Sequence, residues 1–165
     1  MKKCCLIGHR TIKDIEVVSK QLKEILINLI ELKKVKNFIL GNNGEFNALA
    51  YTTLCFLKEQ KYPEIKIISY SLNNEYTYTH EEAERYFKRA KISTAKIFDV
   101  INYLNDIDET QIKRAYVLRN KTIIENSDYC IFYYKEDYAL PNNRNSGTKI
   151  AVEFAKQLNK NIILI

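Results

Sequence analysis

Glycine is scarce in this chain. Four residues, Gly8, Gly41, Gly44 and Gly147, stand among 165, where ordinary usage would supply about twelve. That excludes a phosphate loop built on three closely spaced glycines. Pro63 and Pro141 are the only prolines, and no Gly/Ser-rich stretch marks a linker. Internal repeats are absent as well. Histidine is limited to two residues and cysteine to four, Cys4, Cys5, Cys55 and Cys130. None of the four has paired CxxC spacing, all lie in apolar segments, and Cys5 with His9 is too small a set for zinc. Buried, reduced thiols of a cytoplasmic protein are expected, with no metal site. No apolar run reaches the span of a bilayer. Two lysines precede a strand-length apolar run with no small-residue cleavage site, so no signal peptide is expected.

What is present is the composition of a globular domain: 46% hydrophobic and 28% charged residues in a length that fits one folding unit over 1–165. The formal charge is +6. The basic residues are dispersed, and the densest stretch, Arg85 to Lys91, interleaves Tyr86 and Phe87 with Arg85, Lys88, Arg89 and Lys91. A solvated helix face is favoured there over a nucleic-acid patch.

Apolar periodicity alternates between the two regular structures. Residues 3–8 read as a strand. Ile15, Val18, Leu22, Ile25, Leu29 and Leu32 step by three and four as one helical face. Strands follow at 36–40, 65–70, 128–134 and 161–165. Helices are expected over Phe46 to Leu57, from a cap at Asp108 to Glu125, and over 147–158. Residues 71–107 are rich in Tyr, Asn and Thr; one helix is expected there at 81–90 and another near 95–104. Alternating strands and helices imply a Rossmann-like α/β domain, a mostly parallel sheet of about five strands covered on both faces.

Ligands of such sheets bind beyond the carboxyl ends of the strands, where strand order reverses. The four glycines fall at that edge: Gly8 and Gly41 end strands, and Gly44 and Gly147 open helices. Backbone approaches a ligand closely at such glycines, and helix N-termini aim amides at anions. Arg119 lies inside the apolar stripe formed by Ile112, Ala115, Tyr116 and Ile123. A charge on an inward face needs a partner or a ligand, unless its stem packs and its head reaches solvent.

The segments CCLIGHR (4–10), GNNGEFNALAYTTL (41–54), RNKTIIENSDYCIFYY (119–134) and SGTKIAVEFAKQLNKNIILI (146–165) resemble, in order, the SLOG superfamily, and within it the small stand-alone YpsA-like group of bacterial and phage proteins. The superfamily includes phosphoribohydrolases, DprA-type DNA-processing proteins and nucleotide sensors of antiphage defence. The resemblance implies a nucleotide or ADP-ribose-like ligand held by Gly8, His9, Arg10, Gly41, Gly44, Glu45, Arg119, Asn120, Ser146, Gly147 and Thr148, with His9 and Arg10 at the pocket rim. Residues 71–107 match least and would supply base specificity.

The superfamily hydrolases carry a PGGxGTxxE loop with a catalytic glutamate. Here the glutamate position holds Ala151, and Glu153 stands two residues further on, which turns it to another side of a helix. Asn47 replaces an aspartate of many relatives. Binding without robust chemistry, as sensor or sequestering module, is therefore the expected function, with no separate cofactor. A nucleoside 5′-monophosphate phosphoribohydrolase using Glu45 or Glu153 with Arg119 is the first alternative, and a DprA-like nucleic-acid binder the second. Relatives commonly pair, so a homodimer is expected, without membrane association.

Overall fold

The computed structural model describes residues 1–41, 44–72, 99–104, 112–137 and 146–165. In chain order they form β1 (Lys3–Gly8), α1 (Ile15–Glu31), β2 (Asn37–Leu40), α2 (Glu45–Gln60), β3 (Lys66–Ser71), β4 (Val100–Tyr103), α3 (Ile112–Glu125), β5 (Tyr129–Tyr133), α4 (Gly147–Gln157) and β6 (Asn161–Leu164). The six strands make one sheet in the order β4-β3-β2-β1-β5-β6, and every adjacent pair is parallel. The α/β Rossmann-like architecture expected from the sequence is the one observed, with a sixth strand added at one edge.

The side-chain alternation of β1 explains the two layers. Cys4 and Leu6 face one core, where α1 and α2 contribute Leu22, Leu26, Phe46 and Leu54. Cys5 and Ile7 face the other, where α3 and α4 contribute Ile123, Ile124, Val152 and Ala155. A strand covered on both faces must be apolar throughout, and Cys4 to Ile7 are all buried. All four cysteines are free thiols; Cys55 is half-buried and the rest are buried. Cys5 and Cys130 are register partners across β1 and β5.

Helix boundaries have local causes. The helix α2 begins at Gly44, whose φ of 91° is the left-handed region that favours glycine. Ser146 caps α4 by accepting a hydrogen bond from the Lys149 N–H at 3.0 Å. At the far end of α3, the Lys160 ammonium donates to the carbonyls of Glu125 and Ser127 at 3.0 and 2.7 Å, the cationic partner that a helix C-terminus favours. No helix among the described residues is long and apolar enough to cross a membrane.

Two expectations are corrected. The helix near 95–104 gives way, over Val100 to Tyr103, to β4, which pairs with β3 from Ile68↔Val100 to Ser71↔Tyr103. The open edge of β3 and the β-branched Val100 and Ile101 favour extension there. Asp99 fixes the start: its amide donates to the Ile67 carbonyl at 2.9 Å, its carboxylate accepts from the Ile67 N–H at 2.7 Å, and Lys58 pairs with it from α2. In α1 the buried set is Val18, Leu22, Leu26, Leu29 and Ile30. Leu32, expected on that face, is the helix's C-terminal flank and is exposed. The helix expected at 81–90, the Arg85–Lys91 cluster and the Asp108 cap lie outside the described residues.

Candidate functional site

Strand order reverses between β1 and β5: the chain runs outward through β2, β3 and β4, then returns to the other side of β1. The crevice of such a sheet lies beyond the carboxyl ends of those two strands. Gly8 and Tyr133 are the register pair that ends them.

The segment leaving β1 is fastened to its surroundings. The His9 amide donates to the Tyr133 carbonyl at 3.2 Å, and the Glu45 amide donates to the Arg10 carbonyl at 2.8 Å. The Ile12 N–H donates to the Glu45 carboxylate at 2.8 Å, and the Lys13 N–H to the Tyr133 hydroxyl at 3.2 Å. An exposed ion pair, Lys13 to Asp137 at 3.0 Å, lies outside this set. The segment thus bridges the first turn of α2 and the end of β5.

His9 does not sit at a rim. It is 3% exposed, edge-on to Tyr133 and tilted against Tyr134, with ring centroids 6.0 and 5.7 Å away. Its Nε2 accepts the Lys135 N–H at 3.1 Å, which leaves the proton of the neutral ring on Nδ1. Burial holds its pKa below the ordinary value, while the Asp137 charge opposes the shift. The histidine therefore ties the β1 loop to the β5 loop. Arg10, beside it, is exposed.

Three of the four glycines are explained by protein neighbours. A Cβ on Gly8 would lie 2.4 Å from Cδ1 of Phe46, so glycine at this position lets α2 settle on β1. The Phe46 ring then stacks on Tyr133 at 5.7 Å. A Cβ on Gly44 would lie 3.0 Å from the Arg10 Cα. At Gly41, which follows β2, the ideal Cβ would meet Nη2, Cζ and Nη1 of Arg119 at 2.8, 2.9 and 3.2 Å. The near-equal distances mean that the flat face of the guanidinium covers Gly41. Gly147 differs: among the described residues nothing lies within 4 Å of its Cβ position.

Arg119 is 4% exposed. It projects from the inward face of α3, beside the buried Ala115 and Ile123, as the stripe predicts. Its Cζ lies 4.9 Å from the Tyr116 ring centroid, a cation–π contact one turn earlier in the helix. Its Nη2 donates weakly to the Asn120 Oδ1 at 3.4 Å. Tyr116 was visible in the sequence only as a member of the apolar stripe; its i−3 spacing from Arg119 was the available signal. Tyr133 carried none, since a strand tyrosine reads as core.

Glu45 is 9% exposed and lies in the first turn of α2, its carboxylate held by the Ile12 amide of the β1 loop. That end of α2 carries its own anion. The first turn of α4 contains Gly147 and Thr148, with Ser146 as its cap. Ser146 serves the Lys149 amide and its carbonyl accepts from Ile150. The helix itself offers no acceptor to the amides of Gly147 and Thr148. Ala151, where the hydrolases carry glutamate, is 2% exposed and packed in the core. Glu153 is exposed on the outer side of α4, and Asn47 is buried in α2. Residues 42–43 and 138–145 lie outside the description.

The structure therefore brings Gly41 against Arg119, Gly44 and Glu45 against Arg10, and Gly8 against Phe46. Among the described residues it leaves Gly147 with no neighbour at its Cβ position and Glu153 on the outer surface.

No curated protein matches the chain. Among solved structures, the signal receiver domain of a protein described as a Luxo repressor from Vibrio parahaemolyticus is similar at 12% identity, over 74% of this chain and 93% of that one, with a TM-score of 0.28. A family model, YpsA, described as the YspA SLOG family, matches residues 7–165. That span holds residues 7–10 of the first sequence block and the other three blocks whole, with every strand end of the crevice and both helix starts, and the chain belongs to the YspA SLOG family.

Proposed function

We propose that this protein binds a nucleotide, or a nucleotide derivative of the ADP-ribose or NAD kind, at the carboxyl edge of its sheet, as a sensor or sequestering module. Family membership points to a nucleotide-related role. The observation that carries the reading is Arg119, a buried cation lying flat on the residue after β2, beside the switch point. In this reading the guanidinium meets the ligand's phosphate as a charge-assisted donor. The first turn of α4 adds backbone amides.

The arrangement supports holding more than hydrolysing. A general acid must stand within hydrogen-bond reach of the reacting bond. Ala151 is core, Glu153 faces outward, and Glu45 has a carboxylate oxygen engaged by the Ile12 amide.

Thermal melts with AMP, NAD, ADP-ribose and cyclic nucleotides test the proposal. A ligand present at a hundred times its Kd stabilises the native state by about 2.7 kcal/mol, and at least one of these should raise Tm. No shift with any of them at millimolar concentration would overturn it. Free base released from AMP, and lost in Arg119→Ala, would replace it with the phosphoribohydrolase reading.

A further inference from the structure

We infer that Gly41 is a positioning residue for Arg119, setting the plane and depth of the guanidinium that meets the ligand's phosphate; this rests on the nucleotide reading above. The sequence suggests a simpler role, in which Gly41 lets backbone approach the ligand. The geometry points elsewhere, because the space a side chain would need is filled by the protein's own cation.

Nη2, Cζ and Nη1 of Arg119 stand 2.8, 2.9 and 3.2 Å from the ideal Cβ. Three atoms of a planar group at similar distances define a face-on contact. The Tyr116 ring is a second contact on the same group, 4.9 Å from Cζ. The contact with Gly41 fixes the plane of the guanidinium, and that plane decides bidentate recognition of a phosphate, because the donors lie in it. The β2 backbone supplies the rigid surface: Phe38, Ile39 and Leu40 are at most 1% exposed. Gly41 is itself buried.

A methyl group at 41 cannot coexist with this placement. Ordinary van der Waals contact begins near 3.4 Å, so Nη2 must retreat by several tenths of an ångström. The obstructed atoms are the far end of a flexible side chain, so the fold can accommodate the change while the donor geometry cannot. Charge-assisted hydrogen bonds lose strength steeply with such displacement. Gly8 is the contrast, since its Cβ would press on Cβ, Cγ and Cδ1 of Phe46, the root of a core ring.

A double-mutant cycle tests this, using whichever of AMP, NAD and ADP-ribose raises the wild-type Tm most. Affinity and Tm are measured for wild type, Gly41→Ala, Arg119→Lys and the double variant. Lysine keeps the charge without the planar group that a methyl at 41 would displace. Gly41→Ala should weaken binding about tenfold or more in the wild type, the scale of one lost charged hydrogen bond, and less than about threefold in the Arg119→Lys background. Should Gly41→Ala lower Tm, adding Arg119→Lys should restore it, because the clash is with the guanidinium. Equal losses of affinity in both backgrounds, no loss in either, or a lowered Tm that Arg119→Lys leaves uncorrected would each overturn the inference. Failure of the wild type to bind any probe would instead overturn the nucleotide reading itself, and the inference with it.

Discussion

A methyl group on Gly8 would sit 2.4 Å from Cδ1 and 2.8 Å from Cβ of Phe46. Neither atom can swing away, because Phe46 is fully buried and stacked on Tyr133. Gly8→Ala should therefore behave as overpacking and lower stability by about 1–3 kcal/mol, read as a fall in the urea midpoint. An unchanged midpoint would mean that α2 can shift, and that glycine at this strand end serves something other than packing. His9 supports a different residue-scale prediction. Burial depresses its pKa in the folded state, so the unfolded chain binds the proton more tightly than the folded one. Its contribution is whole above the unfolded value, about 6.5, and is lost as pH falls from there toward the folded value. Wild type should lose stability between pH 7 and 5, relative to His9→Gln, which presents a neutral side chain. Asp99 and Asp137, whose carboxyls are held below their usual range, act at lower pH and do not blur this window. Parallel stability profiles for the two proteins would remove His9 as the cause.

At the scale of elements, α4 separates two jobs that share one turn. Ser146 caps the helix through its side chain, and Ser146→Ala should cost about 1 kcal/mol of stability. Among the described residues nothing meets the Cβ position of Gly147, so Gly147→Val should leave Tm nearly unchanged. If a phosphate meets the amides there, the same variant should weaken nucleotide binding tenfold or more, about 1.4 kcal/mol. A lower Tm with unchanged affinity would assign Gly147 to the fold alone. The sequence was clear about elements whose cause is local. The apolar run of β1, the helix starts at Gly44 and Gly147 and the inward stripe of α3 follow from strand-length apolar composition, glycine at a helix entry and helical spacing. It was silent where the cause is a neighbour distant in the chain. The strand at Val100 exists because β3 has an open edge and Asp99 grips Ile67. Gly8 and Gly41 are glycines because Phe46 and Arg119 arrive from other elements. His9 reads as a displayed side chain until Lys135, more than a hundred residues later, is seen to donate to it.

The described residues form one parallel sheet with a helix pair on each face, and their two cores are separated only by the thickness of that sheet. β1 feeds both: Cys4 and Leu6 belong to one and Cys5 and Ile7 to the other. Neither helix pair can leave without exposing one face of the central strands β1 and β5, which are buried along nearly their whole length. The crevice inherits this coupling. Arg119 comes from the α3/α4 side, whereas Gly44, Glu45 and the fastened β1 loop are tied to α2 on the other. A site assembled from both faces keeps its shape only if the faces unfold together. Leu54 is fully buried in the α1/α2 core, and Leu54→Ala should cost about 2–5 kcal/mol. If the molecule is a single cooperative unit, the slowest-exchanging amides of α4, on the opposite face, should lose protection by that same free energy in native-state hydrogen exchange. Val152→Ala, made in the α4 core, should act in reverse on the amides of α2. Loss of protection confined to the mutated face would show two separable layers. The crevice between β1 and β5 would then be a boundary that opens, instead of a fixed cleft.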